Sequence, residues 1–82
     1  MHWVPIVAEV EWHAGHRGFE RPAAVRVGGA RLELTVESSS SVGGAAGLHW
    51  RRVFAACDST GRHLRISVGE EGHTVVEEQL TG

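Results

Sequence analysis

The chain contains no lysine, no tyrosine and no asparagine, so all eight of its basic side chains are arginine. Schiff-base catalysis, a lysine clamp for phosphate, tyrosine acid-base chemistry and Asn-linked glycosylation are thereby excluded. A single cysteine, Cys57, cannot close an internal disulfide. The apolar runs fall far short of the roughly 20 residues that a membrane-crossing helix needs. No basic, apolar and small-residue leader pattern opens the chain, so a cytoplasmic protein with no membrane partner is expected. A basic excess is also missing. The formal charge is −2 and the isoelectric point near 6.3, which gives no global attraction to nucleic acid. Six histidines would reverse that sign if all were protonated in mild acid.

The 82 residues present suffice for one small domain, residues 1–82, with a thin core. Their pattern is that of strands. His2 to Trp12 alternates Val10 against Glu9 and Glu11, and Pro5, which has no amide donor, places this segment at a sheet edge or at a bend. His13 to Gly18 reads as a loop. Two alternating runs flank Gly28-Gly29, and a two-residue turn there sets Val27 against Ala30, Val25 against Leu32 and Ala23 against Leu34. The other face of this hairpin then opposes Arg26 to Arg31, which calls for an acidic neighbour, an anion or solvent. Ser38 to Gly47 has little to bury and reads as a loop. Strand patterning returns at Leu48–Cys57, Arg62–Val68 and His73–Leu80, although the last could also form a helical turn. The expected fold is all-β, an antiparallel meander of about five to six strands curled into a small barrel or half-open roll, with strand order following sequence order.

The chemistry-bearing residues are dispersed. His13 and His16 flank Ala14-Gly15 and are the best metal candidates, but they are half a site, which Cys57, His49, His63 or His73 would have to complete. Cys57 and His63 flank one turn, yet Cys57 ends the apolar run Val53-Phe54-Ala55-Ala56 and reads as a structural thiol. No nucleophile elbow, phosphate loop or metalloprotease motif occurs, so no catalytic residue and no cofactor is assigned. Arg26, Arg31, Arg51, Arg52 and Arg65, with aromatic residues interleaved, are candidates for holding nucleic acid or another anionic ligand. His49 and Trp50 are candidates for an interface, because an open sheet edge with an aromatic anchor favours a homodimer.

Arg21-Pro22-x-x-Val25-x-Val27-Gly28 with its hairpin, followed by Arg52, Phe54, Asp58 and Gly61 in an Arg-x-Phe…Asp-x-x-Gly pattern, resembles small uncharacterised bacterial β-barrel domains. The resemblance implies a barrel and no activity. The functional expectation is a non-enzymatic binding or assembly module that self-associates. The alternatives are a small barrel binding nucleic acid or another anion through an arginine-rich face, and a His/Cys metal-dependent enzyme.

Overall fold

The computed structural model describes residues 2–14, 20–42, 51–69 and 72–80. Strands occupy most of them: β1 His2–Ile6, β2 Glu9–Ala14, β3 Glu20–Val27, β4 Ala30–Val42, β5 Arg51–Asp58, β6 His63–Gly69 and β7 Thr74–Leu80. Every pairing is antiparallel, in the order β1-β7-β6-β5-β4-β3-β2. The strand order follows the sequence from β2 to β7, but β1 departs from it by crossing to pair with β7.

That departure shapes the molecule. Only Val7 and Ala8 separate β1 from β2, although these strands are the opposite edges of the sheet. In a flat seven-stranded sheet the outer strands would lie roughly 29 Å apart. Three Cα steps reach at most about 11 Å, so the sheet has to curl until its edges converge at Ile6 and Glu9. The result is a curled half-barrel of seven strands, not five to six. The extra strand arises because the His2–Trp12 segment breaks at Val7, which is 95% exposed, and its halves serve different edges. Pro5 sits on edge strand β1, where a missing amide is tolerated.

The Gly28-Gly29 hairpin forms with the expected register at Val27 to Ala30, Val25 to Leu32, Arg26 to Arg31 and Ala24 to Glu33, but the ladder ends there and does not include the expected Ala23 to Leu34 pair. Both glycines have positive φ, 56° and 84°, which side-chain-bearing residues rarely adopt. Two other expectations need correction. His13 and Ala14 belong to β2 rather than to a loop. Ser38–Ser41 extend β4 and pair with Ala55, Phe54, Val53 and Arg52 of β5. Ladder pairing needs only backbone groups, and β5 supplies the apolar side chains that the serines lack. Val42 continues the ladder to Arg51, and the rest of the expected loop, residues 43–47, lies outside the described residues. The carboxy-terminal segment forms the expected strand and not the alternative helical turn, because β6 and β1 hold it on both sides.

β4 joins the two halves of the sheet. A register shift between Val36 and Ser38 leaves Glu37 as a bulge, so Val36 and then Ser39 face the same side as the β5 core residues. The concave face holds the core: Val25, Phe54, Leu64, Ile66 and Val76 are buried, with Val10, Trp12, Leu32 and Val68 packed against them.

One end of the curl is closed by a polar knot. Asp58, whose side chain is fully buried, accepts hydrogen bonds from the Thr60 amide and hydroxyl, the Arg62 amide and Arg62 Nε at 2.6–3.0 Å. Arg62 also reaches Glu78 on β7 at 3.4 Å. Burial acts to raise the Asp58 pKa, but these donors outweigh it and hold the carboxyl below its usual value. The ionised form thus stabilises the fold at neutral pH. Its contribution is complete above the unfolded value of about 3.9 and is lost as pH falls through the lower folded value. Asp58→Asn should cost about 1.5–3 kcal/mol at pH 7 and flatten the acid limb of stability in urea titrations. Unchanged stability at pH 7 would contradict this account of the knot.

Candidate functional site

The opposite end of the concave face is built from two cross-strand rows. Ser41, Arg52, Val68 and Thr74 stand in register across β4, β5, β6 and β7, and beneath them lie Ser39, Phe54, Ile66 and Val76, with Ile6 of β1 completing the lower row. The curl brings Trp12 of β2 over this surface. Its ring meets Phe54 edge-on, with centroids 5.9 Å apart and planes at 63°. Trp12, Phe54, Val68, Arg52, Thr74, Gly69 and Gly72 line a cavity of about 310 Å³ that opens to solvent. The volume lies at the small end of the range for small-molecule sites, roughly 300–1,000 Å³.

The candidate arginines do not form one surface. Arg51 and Arg52 are consecutive in β5 and therefore project to opposite faces. Arg52 lines the concave cavity, whereas Arg51 joins Arg65, Ser40, Val53, Ser67 and Glu77 around a convex-face depression of about 320 Å³. Arg65 is held there by Glu77 at 2.9 Å and lies over the Trp3 ring at 4.5 Å. Arg26 and Arg31 sit side by side on the hairpin, and Glu11 of β2 supplies the acidic neighbour that their pairing requires, at 2.9 and 3.0 Å.

Among the described residues the histidines and cysteine form no metal site. His13 lies exposed on β2, and His16, His49 and Trp50 fall outside the described residues. Among the described residues, no group of three His, Cys, Asp or Glu side chains could hold a metal ion. Cys57 stands opposite His63 in the β5–β6 register, and His63 Nδ1 lies 3.4 Å from Glu37. The Cys57 thiol nevertheless points to the Asp58 carbonyl oxygen, at 3.7 Å.

Trp12, Phe54 and Val68 were not singled out together by the sequence, because β2 and β5 meet only through the curl. Alternation of Trp12 with Val10 does place both on one face of β2, and that was the available signal.

Among the described residues, no helix is long and apolar enough to cross a membrane. No family matches the chain, and no curated protein or solved structure is significantly similar to it.

The Arg26 and Arg31 guanidiniums hold the Glu11 carboxyl below the ordinary glutamate value. An NMR titration of the side-chain carboxyl should give Glu11 a midpoint below the ordinary glutamate value of about 4.3, and an Arg26→Gln/Arg31→Gln variant should restore that value. A normal midpoint in the unaltered protein would dissolve this charge cluster.

Proposed function

We propose that the protein is a non-enzymatic binding module that takes a small ligand into the open end of its half-barrel. The observation that carries this reading is the cavity walled by Trp12, Phe54 and Val68 with Arg52 and Thr74 among its lining residues. Such sites combine an apolar wall with a few polar groups that fix orientation. The dispersal of Arg26, Arg31, Arg51, Arg52 and Arg65 over two faces, with Glu11 and Glu77 engaging three of them, gives weaker support to an extended nucleic-acid surface.

A fragment screen by ¹H–¹⁵N correlation spectra tests the reading. Ligand-induced shifts should cluster at Arg52, Phe54, Val68, Gly69, Thr74 and the Trp12 indole, and the ligand should be recovered unchanged. Shifts confined to other surfaces, or conversion of the ligand, would overturn it.

Self-association into a homodimer is the second reading, favoured by the two edge strands, β1 and β2, that the half-barrel leaves at the ends of its sheet. Light scattering over a dilution series should then show a mass of twice 8.9 kDa at high micromolar concentration. A constant monomer mass would eliminate the dimer.

A further inference from the structure

The depression on the convex face contains a hydroxyl that the fold leaves unused. Ser40, Val53 and Ser67 form one cross-strand row over β4, β5 and β6. Ser67 is 8% exposed and lines the depression, and among the described residues its hydroxyl makes no hydrogen bond. No buried side-chain polar atom is unpaired among those residues, so the small exposed part of Ser67 includes its hydroxyl, which opens onto the depression. A polar group in so enclosed a position calls for a partner.

Arginines flank this row on both sides. Arg51 lies two residues before Val53 on β5, and Arg65 lies two before Ser67 on the antiparallel β6, so both project to the convex face from opposite ends of the depression. Their contributions differ. Arg65 is compensated, because its Nε donates to Glu77 at 2.9 Å, and its guanidinium carbon stands 4.5 Å from the centre of the Trp3 ring. It adds no net charge, but the two contacts fix the group in place, and the bond to Glu77 uses the Nε donor while leaving the terminal amino groups. Arg51 is exposed, and among the described residues no hydrogen bond or ion pair engages it. It supplies the uncompensated charge. With two arginines and one glutamate in its lining, the depression carries 2 − 1 = +1.

We infer that this depression is a phosphate site, in which Arg51 supplies the charge, Arg65 supplies positioned N–H donors and Ser67 and Ser40 supply hydroxyls. Phosphate presents acceptor oxygens in tetrahedral directions, which matches donors that approach from two ends and from the floor, and hydrogen bonds between a guanidinium and such an oxyanion are among the strong ones. A carboxylate has its two oxygens in one plane and meets fewer of them. The volume of about 320 Å³ equals that of about ten water molecules, enough for the oxyanion and a small substituent on it. Free phosphate and a small phosphomonoester share this chemistry. The site lies on the face opposite the Trp12 cavity and does not depend on the ligand proposed for that cavity. In sequence, Glu70 follows Gly69, the residue opposite Arg51, and the charges of Glu70 and Glu71 would oppose an anion; the field of Arg51 is the one that decides in this account.

The experiment titrates the protein with inorganic phosphate, with glycerol 3-phosphate and with acetate at constant ionic strength, followed by ¹H–¹⁵N shifts. Both phosphate ligands should bind at least tenfold more tightly than acetate, with shifts at Arg51, Val53, Ser67 and the Nε–H of Arg65. Glycerol 3-phosphate binding at least threefold more tightly than inorganic phosphate identifies a phosphomonoester as the ligand, and equal affinity identifies phosphate itself. Arg51→Gln, at an exposed position, should weaken phosphate at least tenfold, and Ser67→Ala should weaken it at least threefold. Arg21→Gln, the same change of charge on β3, should leave the affinity within twofold. Glu70→Gln/Glu71→Gln should leave it unchanged or tighten it. Acetate binding as tightly as phosphate would overturn the inference, as would an Arg51→Gln affinity within twofold of the intact protein or a loss of affinity in the double glutamine variant. Phosphate shifts centred on Trp12, Val68 and Thr74 would overturn it as well, as would the absence of saturable shifts at tens of millimolar phosphate. None of these results bears on the binding module proposed for the concave cavity.

Discussion

The rest of the structure depends on the shortness of the link between β1 and β2. Val7 and Ala8 must carry the chain from one edge of a seven-stranded sheet to the other. A two-residue link can do so only if the sheet curls until its edges converge, and that curvature turns one face inward. Among the described residues no helix covers a face of the sheet. The sheet therefore has to provide its own cover. Val25, Val10 and Leu32 on the β2–β4 side meet Phe54, Leu64 and Ile66 on the β4–β6 side, and the core exists because the curl brings them together.

The same curvature produces two unlike ends. At one, Asp58 is buried with every hydrogen-bonding demand met locally, and Arg62 links it to Glu78 on β7. A buried carboxylate is tolerable only under such complete pairing. Among the described residues, no buried side-chain polar atom lacks a hydrogen-bond partner. At the other end, Ser39 and Ser41 occupy inward-facing positions of β4 without apolar side chains to fill the space. Trp12 and Phe54 leave a cavity there in place of a packed cap. Closure and opening thus follow from where the sequence puts its acid, its serines and its aromatic rings.

Much of the local structure was legible in the sequence. The period of two around Gly28-Gly29 determines the β3–β4 register, since a one-residue slip would move Val25 and Leu32 off the core face. The clash of Arg26 with Arg31 likewise demanded an acidic partner, although Glu11 could not be identified without knowing that β2 lies beside β3. The serine run misled because composition reports what a side chain can bury, whereas strand pairing at Ser38–Ser41 is a backbone matter. The cavity was hidden for a different reason. Its walls come from Trp12, Arg52, Phe54 and Val68, which are brought together by the return of β1 to β7, a long-range event with no local signature. The charge of Arg52 and the aromatic interleaving around it mark it in the sequence, and its separation from Arg51 follows from strand alternation.

The most direct test of the account is a nuclear Overhauser measurement between the rings of Trp12 and Phe54. In a flat sheet β2 and β5 would be three strand spacings apart, roughly 14 Å, beyond the reach of such contacts. The curled sheet places the ring centroids 5.9 Å apart. Strong cross-peaks between the indole and phenyl protons are the predicted result. Their absence, in a protein whose β3–β4 and β5–β6 ladders are otherwise intact, would contradict the curl and the cavity built upon it.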